Sequence, residues 1–224
     1  MSGFAIAVDG PASSGKGTVA RMVARELGFV YVDTGAMYRA TALMASRRGV
    51  ALDDPKALAE LIGRLRFELS FEDGRFSIAV DGVELSSAIR GEGVGRAASA
   101  VAVLPEVRRA LLQAQRDLAS SQGVVMDGRD IGTVVLPQAQ LKVFLDASVD
   151  VRARRRHDEQ IARGEESRFA QVRDELVARD AQDSGRETAP LAQAPDAVYL
   201  DTTDLTPEAA RDAIVRLARR RGAG

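Results

Sequence analysis

The 224-residue chain contains no cysteine and a single histidine, His157. Without cysteine there can be no disulfide bond and no thiolate metal ligand, and one histidine cannot build a zinc site that needs several. A chain of this length can bury a sizeable core without such cross-links. We therefore expect one or two domains of ordinary globular type.

The chain also lacks a basic excess and long apolar runs. Its formal net charge is −1, which argues against a protein whose main task is to coat nucleic acid. No stretch approaches the ~18 apolar residues of a membrane span, and the N-terminus does not resemble a signal peptide. We expect a soluble cytoplasmic protein without a nucleic-acid or membrane partner.

Lysine is scarce as well, since only Lys16, Lys56 and Lys142 are lysine and the other basic residues are arginine. Codon bias in a GC-rich genome is one explanation. The other is that the planar guanidinium group suits phosphate and carboxylate partners. Both explanations can hold at once.

Short apolar runs alternate with segments of helical periodicity along most of the chain. The predicted strands are residues 4–8, 30–32, 124–126, 141–145 and 197–200. The predicted helices are residues 15–27, 36–48, 55–65, 92–122 with a break near Pro105, 149–183, and a last helix that opens at Thr206-Pro207. This alternation predicts an α/β fold in which helices flank a five-stranded parallel sheet on both faces.

Residues 66–86 interrupt this pattern with a strict alternation of apolar and polar side chains. Two Asp-Gly pairs, Asp73-Gly74 and Asp81-Gly82, separate the alternating runs. Asp-Gly between such runs is a strong hairpin signal. The sequence therefore predicts a small antiparallel meander inserted into the α/β chain.

The motif G-x-x-x-x-G-K lies at residues 10–16, between the first predicted strand and the first predicted helix. Its glycines let backbone N–H groups turn toward phosphate oxygens, and the helix start adds unpaired N–H groups. Lys16 supplies charge for the β and γ phosphates. The motif predicts an ATP-binding loop formed by Gly10, Pro11, Ala12, Ser13, Ser14, Gly15, Lys16, Gly17 and Thr18.

Three other interpretations use overlapping residues. Gly15-x-Gly17-x-x-Ala20, with Asp33 after the next strand, matches a dinucleotide fingerprint, but it begins too far from the strand end at Val8. Ser13-x-x-Lys16 matches a serine–lysine acylase signature whose partner motifs are absent. The third is a glycine-rich turn without a ligand. We favour the phosphate loop because its strand–loop–helix context is present.

Residue 17 departs from the common form of this loop. Many such NTPases carry a serine or threonine there that binds Mg²⁺, whereas this chain has Gly17 and places Thr18 one position later. We predict no direct protein ligand to the metal. The Mg²⁺ that accompanies ATP would be held mainly by phosphates and water, near Thr18.

Further motifs are spread over nearly the whole chain. They are GKGT at residues 15–18, DTGAMYR at 33–39, the meander, Ala98-Ser99 with Arg108, DGRDIGT at 127–133, and R-D-x-x-D-x-x-R at 179–186. Together they resemble the bacterial cytidylate kinases, a family of P-loop nucleoside monophosphate kinases. The DGRD segment and the insertion are specific to that family among monophosphate kinases.

The resemblance implies a P-loop kinase fold and the phosphorylation of CMP, and of dCMP, by ATP. It implies one domain with a core at about residues 1–62 and 104–224, an inserted substrate-binding subdomain at 63–103, and a short helical lid at about 152–168. Arg155 belongs to the lid arginines that would close over ATP. The implied catalytic residues are Lys16, Arg129 and Arg186.

The resemblance also distributes CMP contacts among eight residues. Thr34, Arg39 and Arg129 would meet the phosphate, although the family commonly has serine in place of Thr34. Ser99, Arg108 and Asp130 would read cytosine, and Arg179 and Asp183 would contact the ribose. Arg186 would lie near the transferring phosphoryl group.

The roles of these residues in binding CMP have a chemical rationale, but each residue could also have an ordinary structural role. A carboxylate such as Asp130 accepts from the cytosine amine, whereas uracil would leave it unpaired at a cost of ~1–3 kcal/mol. Arg39 could equally be a solvated helix residue, and Arg179, Asp183 and Arg186 could form helix ion pairs. The ordinary explanations would all have to hold together, so we favour the functional ones.

Phosphoryl transfer needs alignment and charge neutralisation rather than covalent chemistry from the protein. A nucleotide phosphate is already ionised, so no general base is expected. The remaining alternatives are another acceptor, such as UMP or a small metabolite like shikimate, and a non-enzymatic ATP-binding module. We expect a monomer, because no exposed apolar seam is evident.

Overall fold

The computed structural model describes residues 3–72, 75–91, 93–119 and 123–223. Its strands, numbered along the chain, are β1 (Ala5–Asp9), β2 (Val30–Asp33), β3 (Phe67–Glu72), β4 (Arg75–Val80), β5 (Val83–Glu84), β6 (Val124–Gly128), β7 (Leu141–Asp146) and β8 (Val198–Asp201). Five of them form a parallel sheet in the order β2–β6–β1–β7–β8. The predicted α/β fold with a five-stranded parallel sheet is confirmed.

The other three strands form the predicted antiparallel meander, in the order β3–β4–β5. Asp81 and Gly82 join β4 to β5, and both have positive φ, 53° and 75°. Two consecutive positive φ values are typical of the tight turn that Asp-Gly favours, because its twist matches that of the strands. The predicted turn at Asp73-Gly74 lies outside the described residues.

Eight α-helices surround the sheets in the described part of the chain. They are α1 (Lys16–Leu27), α2 (Thr34–Arg47), α3 (Pro55–Ile62), α4 (Val94–Val101), α5 (Pro105–Asp117), α6 (Val149–Ala162), α7 (Phe169–Ser184) and α8 (Pro207–Arg220). The break near Pro105 is confirmed, since the proline is the first residue of α5. The predicted end of that helix, at 120–122, lies outside the described residues.

One prediction is wrong: residues 149–183 form two helices, not one. Gly164 has φ of 76°, a left-handed conformation that ends α6. The chain then turns and returns as α7, which packs along α6. Polar residues over the whole stretch concealed this reversal, because they continue a helical pattern without marking its end.

The parallel sheet carries apolar side chains on both faces. Helices α1 and α8 cover one face through buried residues such as Val23 and Ile214. On the other face, Met126 and Val32 pack against a single π-helical turn, Ile131–Val135. No helix in the described segments is both long and apolar enough to cross a bilayer.

Aspartates line the carboxyl edge of this sheet. Asp9, Asp33, Asp146 and Asp201 end four strands, and Asp127 precedes the last residue of the fifth. Parallel strands bring these ends to one edge, and ligands of open α/β sheets bind in the crevice outside it. The fold therefore places the phosphate loop, which follows β1, in an acidic crevice.

Candidate active site

The loop between β1 and α1 has the backbone conformation of an anion cradle. Gly10, Ser13 and Gly15 have φ of 151°, 60° and 92°. A Cβ on Gly10 would lie 2.0 Å from the carbonyl oxygen of Leu145 at the end of β7, so only glycine fits there. Helix α1 begins directly after the loop without a side-chain cap and without an acidic residue in its first turn. Its N–H groups are thus available to an anion.

Lys16 lies at the base of this cradle and is 8% exposed. Its Nζ donates to the carbonyl oxygen of Pro11 at 3.0 Å. Burial and the charge of Arg129 lower the pKa of Lys16 to about 7, against the opposing charge of Asp127. A bound phosphate would relieve this penalty, because its charge favours the ammonium form.

Two arginines from α6 hold the phosphate loop by its carbonyl oxygens. Arg152 donates to Ala12 at 3.3 Å, and Arg155 donates to Ser14 at 3.0 Å. Arg155 also donates to the carbonyl oxygen of Thr202 at 2.7 Å, just after β8. The structure therefore brings Arg155 to the predicted loop, while its contact with ATP stays a prediction.

Asp9 fixes the DGRD segment to the end of β1. Its two carboxylate oxygens accept the backbone N–H groups of Ile131 and Gly132, each at 2.7 Å. Burial raises the pKa of Asp9 to about 6 in spite of these two hydrogen bonds. Asp9 thus sets the position of the turn that carries the neighbouring Asp130.

Asp127 is a buried carboxylate beside the start of α1. Tyr31 donates its hydroxyl to Oδ1 of Asp127 at 2.8 Å. Burial and the charge of Asp33 raise the pKa of Asp127 to about 6. A Cβ on Gly17 would lie 3.7 Å from Oδ2 of Asp127, so this oxygen faces the phosphate loop.

Magnesium fits this corner only in partnership with a nucleotide. Among the described residues, no group of three or more aspartate, glutamate, histidine or cysteine side chains could enclose a metal ion. Mg²⁺ usually keeps several waters and takes one or two carboxylates together with substrate phosphates. Asp127 and Asp33 offer such carboxylates, whereas Thr18 is exposed on α1.

Asp183, a predicted ribose contact, lies between Arg129, a predicted phosphate contact, and Arg186, predicted to lie near the transferring phosphoryl group. Its Oδ2 accepts from Nε of Arg129 at 2.7 Å, and its Oδ1 accepts from Arg186. Burial raises the pKa of Asp183, but the charges of Arg129 and Arg186 outweigh it and hold the pKa below its usual value. Arg179 forms no ion pair with any described residue, and burial and Arg129 lower its pKa to about 10.

Thr34 and Arg39, the other predicted phosphate contacts, lie at the start of α2. Thr34 donates its hydroxyl to the carbonyl oxygen of Asp127 at 2.8 Å and is buried. Arg39 pairs with Asp33 at 2.7 Å. Both residues are thereby fixed to the same carboxyl edge as Lys16.

Several arginine N–H groups in this crevice are buried without a hydrogen-bond partner among the described residues. They are the Nε groups of Arg39, Arg108, Arg179 and Arg186. A cavity of ≈ 380 Å³ opens beside Arg186, between Pro105 and the end of α7. Of the four arginines only Arg186 lines this cavity. Unpaired buried donors are costly, so four of them in one crevice indicate an anionic or polar ligand.

Arg108 and Asp130, predicted to read the base, form a buried pair with each other. Nη2 of Arg108 lies 2.5 Å from Oδ2 of Asp130, and their side chains are 7% and 8% exposed. Arg108 also donates to the carbonyl oxygen of Ala102 at 3.1 Å and lies over the ring of Tyr38. Ser99 is not part of this pair, since its hydroxyl donates to Gly95 in its own helix.

The predicted lid, at about residues 152–168, comprises most of α6 and the connection that leads to α7. Arg152 is buried and pairs with Asp180 of α7 at 2.7 Å. Arg154 lies over the ring of Phe169, with 4.7 Å between the guanidinium carbon and the ring centre. Arg156 pairs with an exposed acid of its own helix. The arginines of this region therefore have different partners. Of those described above, Arg152 and Arg155 reach the phosphate loop, whereas Arg154 and Arg156 contact residues near their own helix.

Sequence reasoning missed Asp9, Tyr31 and Thr202 as members of the site, placed Arg152 only in the lid, and gave Asp127 no role. The sequence did indicate Asp9 and Asp127, because both stand at the ends of predicted strands that a parallel sheet brings together. Tyr31 and Thr202 carry no such signal. Their hydroxyl partners are far away in the sequence.

Comparisons with known proteins identify the family. Residues 6–220 match the family described as Cytidylate kinase. The chain is 50% identical over 216 residues to the cytidylate kinase of Geobacillus thermodenitrificans (strain NG80-2), covering 96% of each, and 50% identical over 208 residues to that of Streptococcus pneumoniae (strain Hungary19A-6), covering 92% of each. A crystal structure of an uncharacterized protein from Eubacterium ventriosum ATCC 27560 shares the fold, with a TM-score of 0.52 at 10% identity over 97% of this chain and 98% of that one. The chain belongs to the cytidylate kinase family.

Proposed function

We propose that this protein transfers the γ-phosphoryl group of ATP to CMP and releases the diphosphate and ADP. One observation carries the proposal: Lys16 of the phosphate loop and the arginines around Asp183 share one buried cluster. The two are joined through Asp127, whose Oδ2 faces residue 17 of the loop and which stands two residues before Arg129, the partner of Asp183 at 2.7 Å. Donor and acceptor phosphates would therefore meet in the same place.

The cluster is electrostatically prepared for phosphate. Arg129 lowers the pKa of both Lys16 and Arg179, which means that the cations repel one another in the free protein. A phosphoryl group placed among them would replace this repulsion by attraction. Preorganised charges of this kind stabilise a transition state without reorganisation during the reaction.

The chemical step then consists of alignment. The loop N–H groups and Lys16 hold the β and γ phosphates of ATP, and Thr34, Arg39 and Arg129 hold the phosphate of CMP. Arg186 lies beside Asp183 and faces the phosphoryl group that is transferred. No residue has to remove a proton, because the attacking phosphate oxygen is already ionised.

Asp127 and Asp33 are the residues that would hold the water ligands of the Mg²⁺ that accompanies ATP. When bound, the ion neutralises charge on the β and γ phosphates. The protein's part is to orient these carboxylates, the buried Asp127 through Tyr31 and the half-buried Asp33 through Arg39.

The Arg108–Asp130 pair selects the base. Asp130 accepts from the amine of cytosine, while Arg108 has an unpartnered Nε for a base acceptor. Uracil would present an oxygen to the carboxylate, a repulsive contact that disfavours UMP. The same pocket takes dCMP, because base and phosphate contacts are independent of the 2′ hydroxyl.

Two parts of the fold move during the cycle in this proposal. Residues 63–103 present the acceptor, and residues at about 152–168 close over ATP. Closure excludes water and so limits hydrolysis of ATP. Arg152 and Arg155 transmit this movement, since they join α6 to the phosphate loop.

An acceptor panel tests the proposal. Initial rates of ADP formation are measured with CMP, dCMP, UMP, a purine monophosphate and shikimate, at saturating Mg²⁺ and ATP. We expect the rate with CMP to exceed the rate with UMP by at least about 10-fold. This factor corresponds to the lower end of the cost of leaving one buried polar group unpaired. A tenfold preference for UMP contradicts the role of Asp130, and ATP binding without acceptor-stimulated ADP release contradicts the kinase itself.

A further inference from the structure

Tyr31 joins the inserted meander to the phosphate site. Its ring, on β2, is 3% exposed and lies against two aromatic rings of the meander. The ring centres of Phe71 on β3 and Phe76 on β4 are 5.6 and 5.5 Å away, both edge to face. These contacts fix the ring from the side of the insertion.

The hydroxyl of the same residue reaches the opposite way, to Oδ1 of Asp127. A Cβ on Gly17 would lie only 3.3 Å from this hydroxyl oxygen. The space beside residue 17 is thus filled by Tyr31 and Asp127. In many phosphate loops the residue after the lysine fills such a place with its own hydroxyl.

We propose that Tyr31 is a positioning residue, which holds the Asp127 carboxylate toward the phosphate loop and couples it to the inserted meander. The proposal rests on the proposed function, because it assigns Asp127 to the water ligands of the nucleotide-bound metal. It accounts for the glycine at residue 17, because a Cβ there would press on the Tyr31 hydroxyl oxygen at 3.3 Å and shift it by a few tenths of an ångström.

A purely structural tyrosine does not account for the pair. Burying a carboxylate costs more than one hydroxyl donor returns, and a carbonyl oxygen would satisfy the tyrosine at lower cost. Oδ2 of Asp127 faces residue 17 while Oδ1 is held by Tyr31. The arrangement leaves one oxygen oriented for use at the loop.

The Tyr31→Phe variant removes the hydroxyl and keeps the ring packed on Phe71 and Phe76. We expect the Mg²⁺ concentration for half-maximal rate to rise about 10-fold. This is the lower end of the effect that usually follows the loss of a group that orients a metal-binding residue. The KM for CMP should stay within about twofold. Tyr199→Phe is the matched control, because Tyr199 also donates to an aspartate, Asp146, but is 52% exposed.

A second experiment exchanges the hydroxyl between the two positions. Gly17→Ser alone should weaken binding of MgATP, measured by calorimetry without an acceptor, since its side chain meets the Tyr31 hydroxyl. In the Tyr31→Phe background the same serine has room, so Gly17→Ser should weaken binding less there. Titration of ATP without Mg²⁺ should show little effect of Tyr31→Phe.

The outcomes separate this inference from the proposed function. An unchanged Mg²⁺ requirement in Tyr31→Phe, or equal losses from Gly17→Ser in both backgrounds, overturns the role of Tyr31 while the parent protein still phosphorylates CMP. If Tyr31→Phe lowers the thermal stability but leaves the Mg²⁺ concentration for half-maximal rate unchanged, Tyr31 is structural only. If the parent protein phosphorylates no acceptor, the proposed function fails first.

Discussion

The Asp130→Asn substitution tests base recognition and stability at once, because it removes a charge while it keeps the side-chain shape. Breaking a buried ion pair costs about 3–5 kcal/mol. The amide oxygen can still accept from Arg108, which also keeps its hydrogen bond to the carbonyl oxygen of Ala102. We therefore expect the free energy of unfolding to fall by about 3 kcal/mol, the lower end of this range. For a chain of this size, that free energy lowers Tm by roughly 6–12 °C.

The effect on specificity follows from the new amide. Its NH₂ group can donate to the O4 atom of uracil, which a carboxylate cannot do. The preference for CMP over UMP, measured as the ratio of kcat/KM at saturating ATP, should fall about 10- to 100-fold. The KM for ATP should not change.

The control is Glu106→Gln on the surface of α5. Glu106 pairs with Arg109 at 3.0 Å, but the two side chains are 39% and 71% exposed, so the loss should be below about 1 kcal/mol. If Asp130→Asn lowers Tm but keeps the CMP/UMP ratio, Asp130 is structural and our assignment of base reading to it is wrong.

Three further predictions concern the phosphate loop. Lys16→Met should lower kcat at least about 100-fold with little change in Tm, and near-normal turnover would exclude the loop from catalysis. Because the pKa of free Lys16 is about 7 and a bound phosphate raises it, MgATP binding at about pH 8.5 should take up protons. Calorimetry in two buffers of different ionisation enthalpy measures this uptake; Lys16→Met should abolish it, and proton release would contradict the assignment. Arg152→Met should cost about 3 kcal/mol in chemical denaturation and raise the KM for ATP, because it leaves Asp180 and the Ala12 carbonyl group without their donor. Arg156→Met, at a half-exposed position of the same helix, should change neither the stability nor the KM for ATP.

Features carried by neighbouring residues were predictable from the sequence. The phosphate loop is one continuous motif, and the Asp81-Gly82 turn needs two adjacent residues with positive φ. The parallel sheet followed from five apolar runs separated by helices. In contrast, Gly164 ends α6 within a polar stretch, where a single glycine does not distinguish a kink from a reversal.

Contacts between distant segments of the site were not predictable from the sequence, even where the family resemblance named both residues. Arg108 and Asp130 were both named as base readers, but nothing in the sequence showed that they pair with each other in the free protein. The contact of Tyr31 with Asp127 spans 96 positions and two strands, and it depends on the register of the sheet. Such contacts follow from tertiary packing, which local patterns do not specify.

The close approach of Gly10 to Leu145 has a consequence for heat inactivation. The backbone of the loop rests directly on the end of β7, with no side chain between them. The first residue of the loop is therefore held in place as long as β1 and β7 stay paired. Loss of ATP binding on heating should then coincide with melting of the central sheet, rather than precede it as a separate transition.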